Sequence, residues 1–178
     1  YQGQKCSAAS RLIPVEEVHD RLLERLVEAV KSLKIGPPKD PRNFMGPVID
    51  AAAHAKITGY IDLGRREGKC IVELAAPQDG YYIGPTIFAD LGPQHRIAQE
   101  EIFGPVVALI PVDSFDQAIE VCNNVDYGLS ASLYTRDVNR AFTAMRDIHT
   151  GICYVNAPTI GAEVHLPFGG TKATGNGH

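Results

Sequence analysis

The first half of the chain has the hydrophobic periodicity of two helices followed by extended segments. From Val18 to Val30, apolar residues fall at i, i+4, i+5, i+8, i+9 and i+12, which predicts one face of an amphipathic helix over 16–33. Asp50 stands where it would cap a second helix, and Gly68 marks the expected end of that helix. The segments that follow have the pattern of a hairpin of extended pieces around a turn, at 70–74, 81–83 and 86–88.

The second half alternates strand and helix patterns. A continuous apolar run over 105–111 is typical of a buried parallel strand. The remaining segments are a helix over 115–122, a strand over 129–135, a helix over 138–148 and a strand over 151–156. In the last helix, Phe142 and Met145 are expected to point inward. This alternation implies βαβ units, so the predicted fold class is a single α/β domain with a mostly parallel twisted sheet and helices on both faces.

Composition and charge narrow the class of partner. The 178 residues are 44% hydrophobic and 21% charged, which is ordinary for a globular domain. The net charge of −4 offers no basic footprint for nucleic acid. No apolar run approaches the roughly 20 residues that cross a bilayer, and no signal-peptide pattern opens the sequence. The expected partners are small molecules or other protein chains.

The four cysteines and six histidines follow no metal-binding or disulfide pattern. The cysteines are scattered without a CxxC pair, no HExxH accompanies them, and a chain of this length needs no covalent staple. We therefore expect reduced thiols in a cytosol-like compartment and no metal site.

Cys6 lies in a loop of small residues directly before a predicted strand, with Lys5 and Ser7 beside it. An exposed nucleophile is presented in this way, because the thiolate is the attacking form and nearby positive charge or backbone N–H groups favour it. The same residues also fit a small buried cysteine, which is common for free thiols. Local sequence leaves both interpretations open.

Two further segments contain candidate chemistry. Glu100 and Glu101 are adjacent carboxylates before a core strand, suited to binding sugar hydroxyls or to acid–base work, or else forming a solvated acidic turn. The glycine-rich tail after Phe168 either lets backbone approach a ligand closely or forms a flexible loop. It matches neither the dinucleotide fingerprint nor a phosphate-binding loop.

A series of short motifs, taken in order, resembles the NAD(P)-dependent aldehyde dehydrogenase superfamily over almost the whole chain. Each motif alone is ambiguous, and their common order and spacing carry the resemblance. The motifs are Gly3-Gln4-Lys5-Cys6-Ser7-Ala8, Met45-Gly46-Pro47-Val48-Ile49, Gly84-Pro85-Thr86-Ile87-Phe88, Glu100-Glu101-Ile102-Phe103-Gly104-Pro105-Val106, Tyr127-Gly128-Leu129-Ser130-Ala131, Asn156 and Pro167-Phe168-Gly169-Gly170.

The resemblance implies an enzyme that oxidises an aldehyde through a covalent intermediate on Cys6. The thiol attacks to give a thiohemiacetal, hydride passes to the nicotinamide, and water hydrolyses the resulting thioester, with the Cys6 N–H in the oxyanion hole. Glu101 matches the family residue that binds the nicotinamide ribose, and Phe103 matches the residue beside that ribose. Phe168 matches a wall of the aldehyde pocket. The implied cofactor is NAD, and the sequence does not distinguish it from NADP.

Several parts of the family's machinery are expected outside this chain. In the family, the cofactor-binding domain, the glutamate general base and the oxyanion asparagine precede the catalytic cysteine, and an oligomerisation strand follows the glycine-rich tail. We therefore expect residues 1–178 to be a catalytic-domain fragment that alone neither binds NAD appreciably nor turns over aldehyde. The resemblance implies a homo-oligomeric parent in the cytoplasm, or in the mitochondrial matrix of a eukaryote.

The segment 2–11 most resembles the delta-1-pyrroline-5-carboxylate (glutamate semialdehyde) dehydrogenase branch of the family. In that branch, Ser7 and the pair Gly161 and Ala162 would hold the amino-acid end of the substrate. A serine hydroxyl and backbone N–H groups suit a carboxylate, since charge-assisted hydrogen bonds are strong.

Two alternatives stay open. The segment 156–163 is also similar to aminoadipic semialdehyde dehydrogenases, and 175–178 is similar to general aldehyde dehydrogenases. From another class, the chain would be a non-catalytic binding or structural module that keeps the fold, with Cys6 as an ordinary core thiol.

Overall fold

A computed structural model describes residues 1–175, so the last three residues of the 175–178 segment lie outside the described residues. The chain folds as two compact units. The first unit comprises Tyr1–Lys5 and Ser10–Pro111, and the second comprises Cys6–Ala9 and the chain from Val112 onward. In the described part of the chain, no helix is long and apolar enough to cross a membrane.

The first unit is built on a four-stranded mixed sheet. Its strands are β1 (Arg11–Leu12), β2 (Lys69–Glu73), β3 (Thr86–Ala89) and β4 (Val106–Leu109), in the spatial order β1-β4-β3-β2. Strand β4 is parallel to both β1 and β3, whereas β2 is antiparallel to β3. The apolar run over 105–111 is therefore a buried parallel strand as predicted, and the 70–74 and 86–88 segments pair as a hairpin. The segment 81–83 is not part of a strand.

Two helices of the first unit form where the sequence predicts them, and a third, single-turn helix was not predicted. They are α1 (Glu16–Lys31), α2 (Ala51–Glu67) and the single turn α3 (Arg96–Gln99). The Asp50 side chain accepts a hydrogen bond of 2.7 Å from the Ala53 N–H, and Gly68 follows the last turn of α2. Both predicted ends of α2 are confirmed. At its start, the Asp50 carboxylate satisfies one of the free N–H groups of the first turn.

Helices α1 and α2 cover opposite faces of this sheet. Ile87 packs in a cluster with Val30 of α1, whereas the ring of its neighbour Phe88 lies against Gly64 of α2. Successive side chains of a strand point to opposite faces, so the two helices lie on different sides of β3. Ile87 and Phe88 are 2% and 0% exposed, which places the core of the unit in the middle of this layered arrangement. The predicted α/β fold class is confirmed.

The second unit continues the alternation of helix and strand with shorter pieces. They are α4 (Phe115–Asn123), β5 (Tyr127–Gly128), β6 (Ser130–Leu133), α5 (Val138–Asp147), β7 (Ile152–Val155) and β8 (Thr171–Lys172). Strands β6 and β7 are parallel, and β5 and β8 are antiparallel. The Ser114 and Asp137 side chains cap α4 and α5 by accepting backbone N–H bonds. The four predicted elements of this half are all present.

The prediction that Phe142 and Met145 point inward is wrong. Phe142 is 65% exposed and Met145 is 47% exposed, while Ala144 is fully buried. At 100° per residue, Phe142 and Met145 share a face of α5 with Val138, and Ala144 lies on another face. The periodicity correctly groups the large apolar residues, but α5 buries the face with the small alanine.

Candidate functional site

Cys6 is an exposed free thiol, in contrast to the other three cysteines of the chain. Cys70, Cys122 and Cys153 are each partly buried. Burial raises the pKa of the Cys70 and Cys153 thiols, which disfavours their reactive thiolate form. The alternative in which Cys6 is a buried core thiol is therefore wrong.

The segment that leads to Cys6 is packed backbone to backbone against the acidic loop, which we define as residues 100–104. Gly3 has a φ of +71°, and a Cβ there would lie 2.2 Å from the Gly104 carbonyl oxygen. Only glycine fits, because it accepts positive φ and leaves room for the other backbone. The Gln4 side-chain oxygen also accepts a 2.9 Å hydrogen bond from the Ile49 N–H. Gly3 and Gln4, which precede Cys6 in the sequence, are thus held in place within the first unit.

The two adjacent carboxylates of the acidic loop have different surroundings. Glu100 accepts hydrogen bonds from the Tyr60 hydroxyl at 2.7 Å and from Arg96 Nε at 2.6 Å. The Arg96 and Tyr60 hydrogen bonds hold the pKa of Glu100 below its ordinary value. In residues 1–175, the exposed Glu101 carboxylate has no ion pair or hydrogen bond. Glu100 therefore anchors the loop, and Glu101 is free to bind a ligand.

The backbone of the acidic loop is held from α2. Lys56 Nζ donates a 3.0 Å hydrogen bond to the Glu101 carbonyl, one helical turn from the Tyr60 that binds Glu100. Phe103 has a φ of +58°, a left-handed conformation that is uncommon outside glycine, and its side chain is 37% exposed. Residues held in such conformations cost free energy and cluster at functional sites. The sequence analysis missed Lys56, Tyr60 and Arg96.

In the second unit, the predicted substrate residues fall in two groups. Ser7 is 4% exposed, whereas Phe168 is 50% exposed. Gly161 and Ala162 are also exposed and lie, with Phe168, in a segment without helix or strand that we call the apolar loop, residues 157–168. Its large exposed side chains besides Phe168 are Ile160, Val164 and Leu166.

Both ends of the apolar loop are attached to other parts of the second unit. At its start, the Thr159 hydroxyl donates a 2.7 Å hydrogen bond to the Ser7 carbonyl, and the Ser132 hydroxyl donates to the Ala157 carbonyl. Beyond its end, Lys172 Nζ donates to the Asn123 and Val125 carbonyls at 2.6 and 3.1 Å, next to the β5–β8 pairing. The sequence analysis missed these anchors.

The donor sets within the described part of the chain do not form a metal site. No group of three or more His, Cys, Asp or Glu side chains there could hold a metal ion. The described residues present an exposed thiol at Cys6, an exposed carboxylate at Glu101 and a buried serine at position 7.

These features define an α/β protein that presents an exposed thiol in the second unit and an anchored acidic loop in the first. The chain belongs to the aldehyde dehydrogenase family, whose model matches residues 1–178. The sequence-based resemblance to this family is confirmed.

Within this family, the chain is similar to particular relatives and solved structures. The chain is 46% identical over 177 residues to a 1-pyrroline-5-carboxylate dehydrogenase of Geobacillus sp. (strain WCH70), covering 98% of this chain and 34% of that protein. It resembles the Thermus 1-pyrroline-5-carboxylate dehydrogenase with bound NAD, with a TM-score of 0.93, 41% identity and coverage of 97% and 34%. It also resembles aldehyde dehydrogenase 21 from Physcomitrella patens in complex with the reaction product succinate, at a TM-score of 0.90, 33% identity and coverage of 96% and 35%. The chain thus spans about a third of the length of the curated relatives it matches.

Proposed function

We propose that this chain supplies the thiol-bearing catalytic part of an NAD-dependent dehydrogenase that oxidises glutamate semialdehyde, the open form of pyrroline-5-carboxylate, to glutamate. The observation that carries the proposal is the exposed Cys6 thiol in a chain of the aldehyde dehydrogenase family. The likeness to dehydrogenases named for pyrroline-5-carboxylate supports the substrate. The 34% coverage of those relatives supports a catalytic domain within a larger protein.

Cys6 acts as the nucleophile in this proposal. Its thiolate sulfur forms a bond to the aldehyde carbon, and the electron pair of the C=O bond moves to oxygen, giving a thiohemiacetal. The Cys6 backbone N–H stabilises the negative oxygen. When the thiohemiacetal loses hydride, the C=O bond re-forms as a thioester, and water then releases the acid and the free thiol. NAD, when bound, supplies the chemistry of hydride acceptance.

Glu101 and Phe103 are the proposed cofactor residues, and their surroundings suit that role. A carboxylate without a protein partner can accept two hydrogen bonds from the adjacent hydroxyls of a ribose. The Lys56 bond to the Glu101 carbonyl fixes the loop from which this carboxylate projects. The partly exposed Phe103 ring offers an apolar surface beside it. The accepting carboxylate and the neighbouring ring therefore suit the ribose of a nicotinamide nucleotide.

Ser7, Gly161 and Ala162 are the proposed residues for the amino-acid end of the substrate, and Phe168 is the proposed wall of the aldehyde pocket. Ser7 follows the nucleophile directly, and the Thr159 bond ties its carbonyl to the loop that carries Gly161 and Ala162. This link supports a single substrate-binding arrangement within the second unit. We further propose a homo-oligomeric parent. We also propose that it is cytoplasmic, and the four free thiols support that location.

Steady-state NAD reduction by the full-length protein tests the proposal. Glutamate semialdehyde, aminoadipic semialdehyde and propanal are compared in the wild type and in Cys6→Ala. We expect the highest kcat/KM with glutamate semialdehyde and a loss of at least about 1,000-fold in the variant, since covalent catalysis ends with the thiol. Preference for another aldehyde, with the same dependence on Cys6, would overturn the substrate and keep the mechanism. Absence of Cys6-dependent activity on all three would favour the binding module.

A further inference from the structure

The apolar loop, which carries three proposed substrate residues, is largely exposed. All residues from Ile160 to Phe168 are exposed, and within that range the backbone bond from the Leu166 N–H to the Glu163 carbonyl is a local turn. Thr159, directly before this stretch, is by contrast partly buried. The position of the exposed stretch therefore depends on the attachments at its ends.

The Thr159 attachment joins residues far apart in the sequence. Its hydroxyl donates a 2.7 Å hydrogen bond to the Ser7 carbonyl, across a sequence separation of 152 residues. Ser7 directly follows Cys6, and Gly161 lies two positions after Thr159. Two residues of extended chain span about 7 Å, so this bond limits the distance that the Gly161 N–H can move from the segment bearing the thiol.

We propose that Thr159 is a positioning residue that sets the distance between the Cys6 thiol and the backbone N–H groups of Gly161 and Ala162, and so selects aldehydes that carry a carboxylate. The inference rests on the proposed function, because it assigns the specificity of that site to a residue outside it. Thr159 acts through the Ser7 carbonyl. A substrate anchored at both ends senses this distance, and an aldehyde without a carboxylate does not.

Thr159→Val tests the inference, because valine matches threonine in shape and removes the hydroxyl. Thr159→Ser keeps the donor. Thr150→Val is the matched control, since the Thr150 hydroxyl also donates to a backbone carbonyl of the second unit, that of Ile152 at 3.0 Å. The kcat and KM of each full-length variant are measured with glutamate semialdehyde and with propanal, which has no carboxylate, and each melting temperature checks the fold.

We expect Thr159→Val to raise the KM for glutamate semialdehyde about fivefold, the usual effect of losing one hydrogen bond, and to leave kcat and KM for propanal unchanged. Thr159→Ser should restore the wild-type ratio of the two kcat/KM values, and Thr150→Val should not change it. A parallel loss with both aldehydes, or an unchanged ratio in Thr159→Val, would overturn the inference.

The two proposals fail in distinguishable ways. If the wild type oxidises propanal through Cys6 and shows no preference for glutamate semialdehyde, the proposed substrate is wrong and the inference is overturned with it. If the wild type prefers glutamate semialdehyde and Thr159→Val keeps that preference, only the positioning role is overturned.

Discussion

The acidic loop of the first unit and the apolar loop of the second unit are held in different ways. The acidic loop is fixed by three side chains, Lys56, Tyr60 and Arg96, and by backbone contact with Gly3. The apolar loop is exposed from Ile160 to Phe168 and is attached at its ends. A cofactor is the same in every turnover, so a rigid loop suits it. Aldehydes vary among related dehydrogenases, and a loop fixed only at its ends can change sequence without disturbing a core.

Disrupting the backbone contact between Gly3 and the acidic loop should cause the largest change. Gly3→Ala places a Cβ 2.2 Å from the Gly104 carbonyl oxygen at a φ of +71°. We expect a loss of at least about 2 kcal/mol in the free energy of unfolding, because neither backbone can yield cheaply.

The same substitution at Gly59 is the control for Gly3→Ala. Gly59 lies in α2, and a Cβ there would meet nothing within 4 Å. Gly59→Ala should raise the free energy of unfolding by about 0.5–1 kcal/mol, because alanine loses less backbone entropy in a helix. Denaturant unfolding of both variants measures the two changes, and a loss of equal size in each would show that the contact between Gly3 and Gly104 does not hold the acidic loop.

Alkylation of the four cysteines sharpens the comparison by measuring exposure directly. With limiting iodoacetamide at pH 7.5, we expect Cys6 to react at least about tenfold faster than Cys70 and Cys153. Burial raises the pKa of the latter two thiols, so less of each is thiolate at this pH. Peptide mass spectrometry gives the rate for each site, and equal rates at Cys6 and Cys153 would argue against an accessible nucleophile.

Glu101 and Glu100 are expected to affect different properties, the KM for NAD and the melting temperature. Glu101→Gln removes a charged acceptor from the proposed ribose site, and we expect the KM for NAD to rise about tenfold with no change in melting temperature. Glu100→Gln should leave the KM for NAD unchanged and lower the melting temperature slightly, because Glu100 binds Arg96 and Tyr60. Steady-state kinetics and thermal unfolding measure the two properties in each variant. If Glu100→Gln raised the KM for NAD and Glu101→Gln lowered the melting temperature, the two assigned roles would be wrong.

The smallest expected effect is the acid sensitivity of the Glu100 anchor. Its pKa is lowered in the folded chain, so its contribution is complete above the unfolded value of about 4.3 and is lost as the pH falls through the folded value. We expect the stability difference between the wild type and Glu100→Gln to shrink as the pH falls from about 5 to 3. The change should stay below about 1 kcal/mol, because the pair is exposed. Urea unfolding at each pH measures it, and parallel curves would exclude the anchor.

Local features of the sequence predicted a large part of this structure. Asp50 and Gly68 marked the ends of α2 correctly, since capping depends on neighbouring residues alone. The small residues around Cys6 predicted a loop, but they left open whether its thiol is exposed or buried, and the structure shows it exposed. The orientation of α5 did not follow from the sequence, because periodicity groups Phe142 with Met145 without stating which face a neighbouring element covers.

The anchors of the two loops could not be predicted from sequence. Lys56 and Tyr60 stand one helical turn apart on α2, which indicates a shared face, but the target loop lies about 40 residues further along the chain. The bond from Thr159 to Ser7 spans 152 residues and has no local signal. Such contacts depend on how the fold brings distant segments together, which a single sequence without the fold does not specify.

If Cys6 is the nucleophile, it carries the acyl group during turnover, and that group can be located by mass spectrometry. The full-length protein is mixed with NAD and glutamate semialdehyde, quenched in acid during steady turnover, digested and analysed by peptide mass spectrometry. We expect a glutamyl thioester on the peptide that contains Cys6, and no adduct at that position without NAD beyond the reversible thiohemiacetal. Steady turnover with the acyl group on Cys70, Cys122 or Cys153, and an unmodified Cys6, would contradict this expectation.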